Sequence, residues 1–109
     1  MERIYNKLVR DNIPNIIEAK GETSVTKVLD DDTYKAELEK KLNEEYLEVL
    51  AASGYERVEE LADVLEIIRA LAKLEGKTLE DVVQIADAKS EKRGAFSKKI
   101  FLEKVIEKK

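Results

Sequence analysis

Four glycines punctuate a sequence that otherwise gives a helix few reasons to stop. They stand at Gly21, Gly54, Gly76 and Gly94, and the single proline, Pro14, lies near the start. Between them, apolar residues recur at a spacing of three to four, the period of a helix with a covered face. Asn12, with Pro14 as an early helical residue, starts a short helix to about Lys20, and Gly21 stops it. Asp30, Asp31 and Asp32 offer N-caps and place negative charge at the positive end of a second helix. That helix is predicted from about Thr33 to Ala52, ended by Ser53-Gly54. A third is predicted from about Tyr55 to Glu75, with Gly76 just past its end. Thr78 and Asp81 have the spacing of a capping box, with Asp in place of Glu, for a fourth helix to about Arg93. The expected fold class is all-α, a helical bundle of about four helices. A β-sandwich would need many more Gly and Pro turns.

Two segments break this pattern. Ser24–Leu29 is β-branched and alternating, and Lys98–Ile106 is rich in β-branched and aromatic residues. Residues 24–29 and 99–106 are therefore expected to pair as a small two-stranded β element, with a terminal helix as the alternative for the tail. The 109 residues match one ordinary domain, 1–109, without internal repeat or low-complexity linker. With 43% hydrophobic residues the chain can fill one core.

Composition then removes most chemistries. Cysteine is absent, so disulfides, zinc-thiolate sites and thiol catalysis are excluded. Histidine is absent too, which removes the usual general base and imidazole ligation. What remains is carboxylates, lysines, arginines, hydroxyls and a hard metal ion. A net charge of −4 gives no basic excess for bulk nucleic-acid binding. No apolar run approaches a membrane span, and Met-Glu-Arg-Ile does not read as a signal peptide. A cytoplasmic protein with neither nucleic-acid nor membrane partners is expected.

Carboxylates occupy places where apolar residues belong. At about 100° per residue, Leu38, Leu42 and Val49 share one stripe of the second helix, with Tyr34 and Ala52 at its edge. Glu45 lies inside that stripe and Glu48 just beyond it, while Glu44 is farther out. On the third helix, Leu61, Val64, Leu65, Ile68, Leu71 and Ala72 form the main stripe, with Val58 at one edge. Ile67 and Leu74 widen the apolar arc to roughly 200°. Glu60 falls within it, between the lines of Ile67 and Leu71, and Asp63 sits at the edge. An arc this wide needs covering on two sides, so a homodimer or higher homo-oligomer is expected. Each helix thus carries an acidic pair at i,i+3, and a short connection makes the two helices antiparallel neighbours. Four converging carboxylates repel and lose hydration unless a cation compensates, and magnesium suits an oxygen-only set. The plainer alternative is pairing with Lys and Arg or plain solvation. Glu39, Glu59 and Glu66 point away and are read as surface.

Glu44-Glu45-Tyr46-Leu47-Glu48 followed by Glu60-Leu61-Ala62-Asp63 resembles the Glu-Glu-x-x-Glu … Glu-x-x-Asp signature of the MazG-like all-α nucleoside triphosphate pyrophosphohydrolases. Lys7-Leu8-Val9-Arg10-Asp11-Asn12-Ile13-Pro14 resembles a phosphoribosyl-ATP-pyrophosphohydrolase-like, predicted house-cleaning subgroup. Lys89, Lys92-Arg93-Gly94 and Phe96 resemble the basic, Gly-Phe segment after that subgroup's last helix. The eleven residues between Glu48 and Glu60 fall at or just below the short end of the family range.

The resemblance implies that Glu45, Glu48, Glu60 and Asp63 hold magnesium, with manganese as a substitute. It implies cleavage of a nucleoside triphosphate, or a phosphoribosyl-ATP-like substrate, between its α and β phosphates to monophosphate and pyrophosphate. Glu44 or the ligand Glu45 would accept the water's proton. Lys7, Arg10, Lys89, Lys92 and Arg93 are read as phosphate-binding, with Arg10 and Arg93 taking no part in metal binding. For the last three, the alternative is complementing the helix dipole. Tyr5, Tyr46 and Phe96 could stack on a base or simply pack. The competing function is a non-catalytic nucleotide-binding or helical interaction module on the same fold.

Overall fold

A computed structural model describes residues 1–108. It is all-helical: α1 (Ile13–Ala19), α2 (Asp31–Ala51), α3 (Gly54–Leu74) and α4 (Leu79–Arg93). Local chemistry sets each boundary. Pro14 opens the first turn of α1. The Asp30 side chain accepts the Thr33 N–H at 2.8 Å and caps α2, with Asp31 and Asp32 in the first turn. At α4 the capping box is complete: Asp81 N–H donates to Thr78 Oγ1 at 3.1 Å, and Thr78 N–H donates to Asp81 Oδ2 at 2.8 Å. Gly76, at φ +74°, supplies the left-handed residue after α3. Its N–H reaches Lys73 O at 3.0 Å, and Lys77 N–H reaches Ala72 O at 2.9 Å, a Schellman pair.

The α2–α3 corner differs from the expected one. Ala52 and Ser53 are both extended, and Gly54, at φ +60°, begins α3 rather than ending α2. Two extended residues are enough to reverse the chain. Arg57 Nε donates to the Val49 carbonyl at 3.0 Å, satisfying one of the carbonyls that the end of α2 leaves free.

The small β element is corrected. Among the described residues none is in a strand, and neither 24–29 nor 99–106 takes regular structure. The tail is not a helix either. Val25 and Val28 are 97% and 100% exposed, and Ile100 and Phe101 80% and 87%. β-branched composition favours a strand only where a partner covers one face and pairs the backbone, and neither segment has one.

α2 and α3 form an antiparallel hairpin, and α4 packs only against α3. The buried apolar residues are few: Leu38 of α2, and Ile67 and Ala72 of α3. Beyond Val82 every described residue is exposed, so most of α4 leaves the hairpin. The molecule measures 69 × 33 × 25 Å, with a radius of gyration of 19.2 Å. A compact chain of this length would have about 13 Å. On the flank next to the acidic residues, Leu42, Tyr46, Val49, Leu61 and Val64 line an open groove of about 500 Å³. No helix among the described residues is long and apolar enough to cross a membrane.

Candidate metal centre

The hairpin brings three of the expected acids to one point. Glu45 on α2 and Glu60 and Asp63 on α3 each offer a carboxylate oxygen, and these oxygens lie within 4.8 Å of one another. All three side chains are half-buried. The geometry follows from the sequence spacing. Glu60 and Asp63, three apart, share a face of α3, and the tight turn at Ala52–Ser53 sets Glu45 opposite them. Glu48 is exposed one turn along, near enough for its charge to act on Glu60.

Electrostatics mark Glu60 as the strained member. Its carboxyl is pushed above the ordinary range, first by loss of water around it. The hydrogen bond and the charge of Glu45 add to this, followed by the charges of Asp63 and Glu48. The surrounding carboxylates thus disfavour the charged form of Glu60.

Two cations answer the remaining charge. Arg10 Nη2 donates to Asp63 Oδ1 at 2.7 Å. Lys41 Nζ lies 3.9 Å from Glu45 Oε1, one turn earlier on α2. The reading of Arg10 as a phosphate ligand separate from the acids therefore meets a difference: in this state it is paired with one of them. Lys41 was missed in the sequence, although its i,i+4 relation to Glu45 is the spacing of a helical ion pair. The plainer alternative of pairing with cations thus holds for Asp63 and Glu45, whereas no ion pair joins Glu60 among the described residues.

The other expected residues are more scattered. Glu44 is half-buried beside Glu45. Lys7 is exposed, its Nζ 5.7 Å from the centre of the Tyr5 ring. Lys89, Lys92 and Arg93 lie on the exposed end of α4, and among the described residues no ion pair joins them to the acids. Phe96 is 97% exposed, and Tyr46 lines the groove on the flank next to Glu45. Glu66, read as a surface acid, pairs with Arg69 on its own helix.

Comparison with known proteins adds little. No family model matches the chain, and no solved structure matches it. A protein of Mycolicibacterium smegmatis (strain ATCC 700084 / mc(2)155), described as uncharacterized, is 52% identical over 46 residues. That stretch is 42% of this chain and 47% of the relative, so the match spans about half of the relative's length.

Proposed function

We propose that this protein is a magnesium-dependent nucleotide pyrophosphohydrolase. It would cleave a nucleoside triphosphate, or a phosphoribosyl-ATP-like substrate, between the α and β phosphates to monophosphate and pyrophosphate. The observation that carries the reading is the convergence of Glu45, Glu60 and Asp63 oxygens within 4.8 Å on two neighbouring helices. The donor set fits the ion. It is all carboxylate oxygen, which suits magnesium or manganese and not a soft metal. A guanidinium already stands against Asp63, so the cluster draws a cation.

Glu45, Glu60 and Asp63 would hold the ion, with Glu48 joining from the next turn. When bound, magnesium lowers the pKa of a water and offsets charge developing on the phosphates. The chain's own residues supply the rest. Glu44 or Glu45 takes the proton of the attacking water. A P–O bond forms to that water's oxygen as the α–β anhydride P–O bond breaks, the bridging oxygen leaves with the other fragment, and pyrophosphate and monophosphate separate. Arg10 and Lys7 bind phosphate oxygens from the N-terminal segment. Lys89, Lys92 and Arg93 do so from α4, in a site completed by a second copy of the chain.

The proposed active form is accordingly a homodimer or higher homo-oligomer. Leu47, Leu50, Val58, Leu61 and Leu65 remain 43–56% exposed along the hairpin, more apolar surface than one chain covers. The proposed setting is the cytoplasm, where nucleotides are available. The same exposed surface is what favours the second reading, a nucleotide-binding interaction module without turnover.

A panel of nucleoside triphosphates and phosphoribosyl-ATP, assayed with magnesium and with chelator, tests the proposal. Magnesium-dependent pyrophosphate release with a monophosphate product is expected. Magnesium-dependent binding without turnover selects the module, and neither binding nor turnover across the panel refutes both.

A further inference from the structure

We propose that Arg10 is a displaceable counter-ion: its guanidinium neutralises Asp63 until a divalent cation enters the cluster, and is then released to bind phosphate. The inference rests on the metal reading of the acidic cluster given above.

Four observations carry it. Arg10 and Asp63 are 53 positions apart, and their 2.7 Å contact is charge-assisted. It joins one of three converging carboxylates, not an isolated surface acid. Among the described residues it is the only side-chain hydrogen bond or ion pair between residues 1–29 and the α2–α3 hairpin. Finally, the contact is open to water, with the two side chains 54% and 43% exposed.

Exposure makes the pair weak, because solvent screens it and water can replace either partner. A divalent ion carries twice the charge of the guanidinium and repels it at the shared carboxylate. The two cations therefore compete for Asp63. By linkage, whatever loosens Arg10 tightens the metal, and the metal loosens Arg10 by the same factor. A substrate phosphate that engages Arg10 would then raise metal affinity, which couples loading of metal to loading of nucleotide. Arg10 need not travel far. Its carbonyl accepts the Ile13 N–H at 3.1 Å, and Leu8, Val9, Ile13 and Pro14 around it are half-buried, so the backbone stays in place while the side chain swings.

The test is manganese affinity of the full chain without nucleotide, read from the loss of the free-ion EPR signal. Arg10→Ala is expected to bind manganese about three- to tenfold tighter than wild type, from one removed unit charge at close range near the surface. Arg10→Gln keeps most of the side chain without its charge and should tighten binding similarly, which guards against a folding defect in Arg10→Ala. Arg10→Lys should fall in between. Higher salt should narrow every gap. Unchanged affinity in both neutral variants would mean that Arg10 serves phosphate only, and overturns the proposal. Weaker affinity would mean that Arg10 builds the site, and also overturns it. If neither wild type nor any variant binds manganese, the metal reading falls with it, an outcome distinct from binding that Arg10 does not affect.

Discussion

Two apolar residues of α3, six positions apart, test how this chain completes its core. Ile67 is 5% exposed and packed within the hairpin, whereas Leu61 is 50% exposed beside the groove. Truncating Ile67 to Ala removes buried atoms and leaves a cavity, which costs about 2–5 kcal/mol. For a domain of this size that is a fall in Tm of roughly 10 °C or more. In a lone chain, Leu61→Ala should cost only about 1 kcal/mol, since half of the side chain is already in water. A second copy lying on the groove would bury that half. Leu61→Ala would then cost about as much as Ile67→Ala, and the loss would fall on assembly. The assay is thermal unfolding followed by circular dichroism at low and high micromolar protein, with sedimentation on the same samples. The oligomer predicts a wild-type Tm that rises with concentration and a Leu61→Ala variant that dissociates. A concentration-independent Tm with a Leu61→Ala loss near 1 kcal/mol would refute coverage of this face by a second copy. A small loss for Ile67→Ala would refute the assignment of the core itself.

Glu60→Gln removes one like charge and keeps the shape, so it should abolish magnesium-dependent turnover while chelator-treated protein melts at the wild-type temperature or higher. A variant that melts lower in chelator and is still stabilised by magnesium would show Glu60 to be structural. The raised Glu60 carboxyl also gives a pH signature: its protonated form is favoured in the fold, so its contribution to stability is full below its unfolded pKa and is lost as pH rises through the folded one. Glu60→Gln should flatten that part of the melting-temperature profile, and an unchanged profile would count against the crowded carboxylate. Asp30 and Asp81 act in the opposite sense, since backbone N–H bonds hold both below the ordinary carboxylate range; cap stability should be full above about pH 4 and lost as pH falls through their folded values. Thr78→Ala removes the hydroxyl of the capping box and should cost about 1 kcal/mol; a loss near zero would mean that α4 needs no cap. Arg93→Ala should raise KM and leave nucleotide-free manganese affinity alone, so a tighter metal site in that variant would contradict its reading as a phosphate ligand with no ion pair to the acids.

Interactions within a turn or two were legible in the residues. The caps at Asp30 and Thr78, the stop at Gly76 and the extents of four helices depend on neighbours a few positions away, and the structure keeps them. So does the convergence of Glu45, Glu60 and Asp63, because i,i+3 spacing and a short corner leave an antiparallel hairpin little freedom. Periodicity, however, gives the angle of a residue about its own helix and not the direction of the neighbouring helix. The main stripe of α3 runs through Leu61, Val64, Leu65, Ile68, Leu71 and Ala72. In the structure Ala72 of that stripe is buried together with Ile67 at its widened edge, while Leu61 and Leu65 stay half in water. The segments at 24–29 and 99–106 have the composition of strands and no structure of that kind, since a strand needs a partner that this chain does not supply.

The sequence by itself therefore determined the helices, most of their ends and three of the four acids expected to meet, because each rests on short-range backbone geometry. Only the tertiary structure decided which flank of α3 is covered, how much apolar surface stays open and where Arg10 lies. A contact across 53 positions leaves no periodic trace in a single chain. It exists because folding sets the N-terminal segment beside α3, and opposite charges then pair across a distance that the residues alone do not encode.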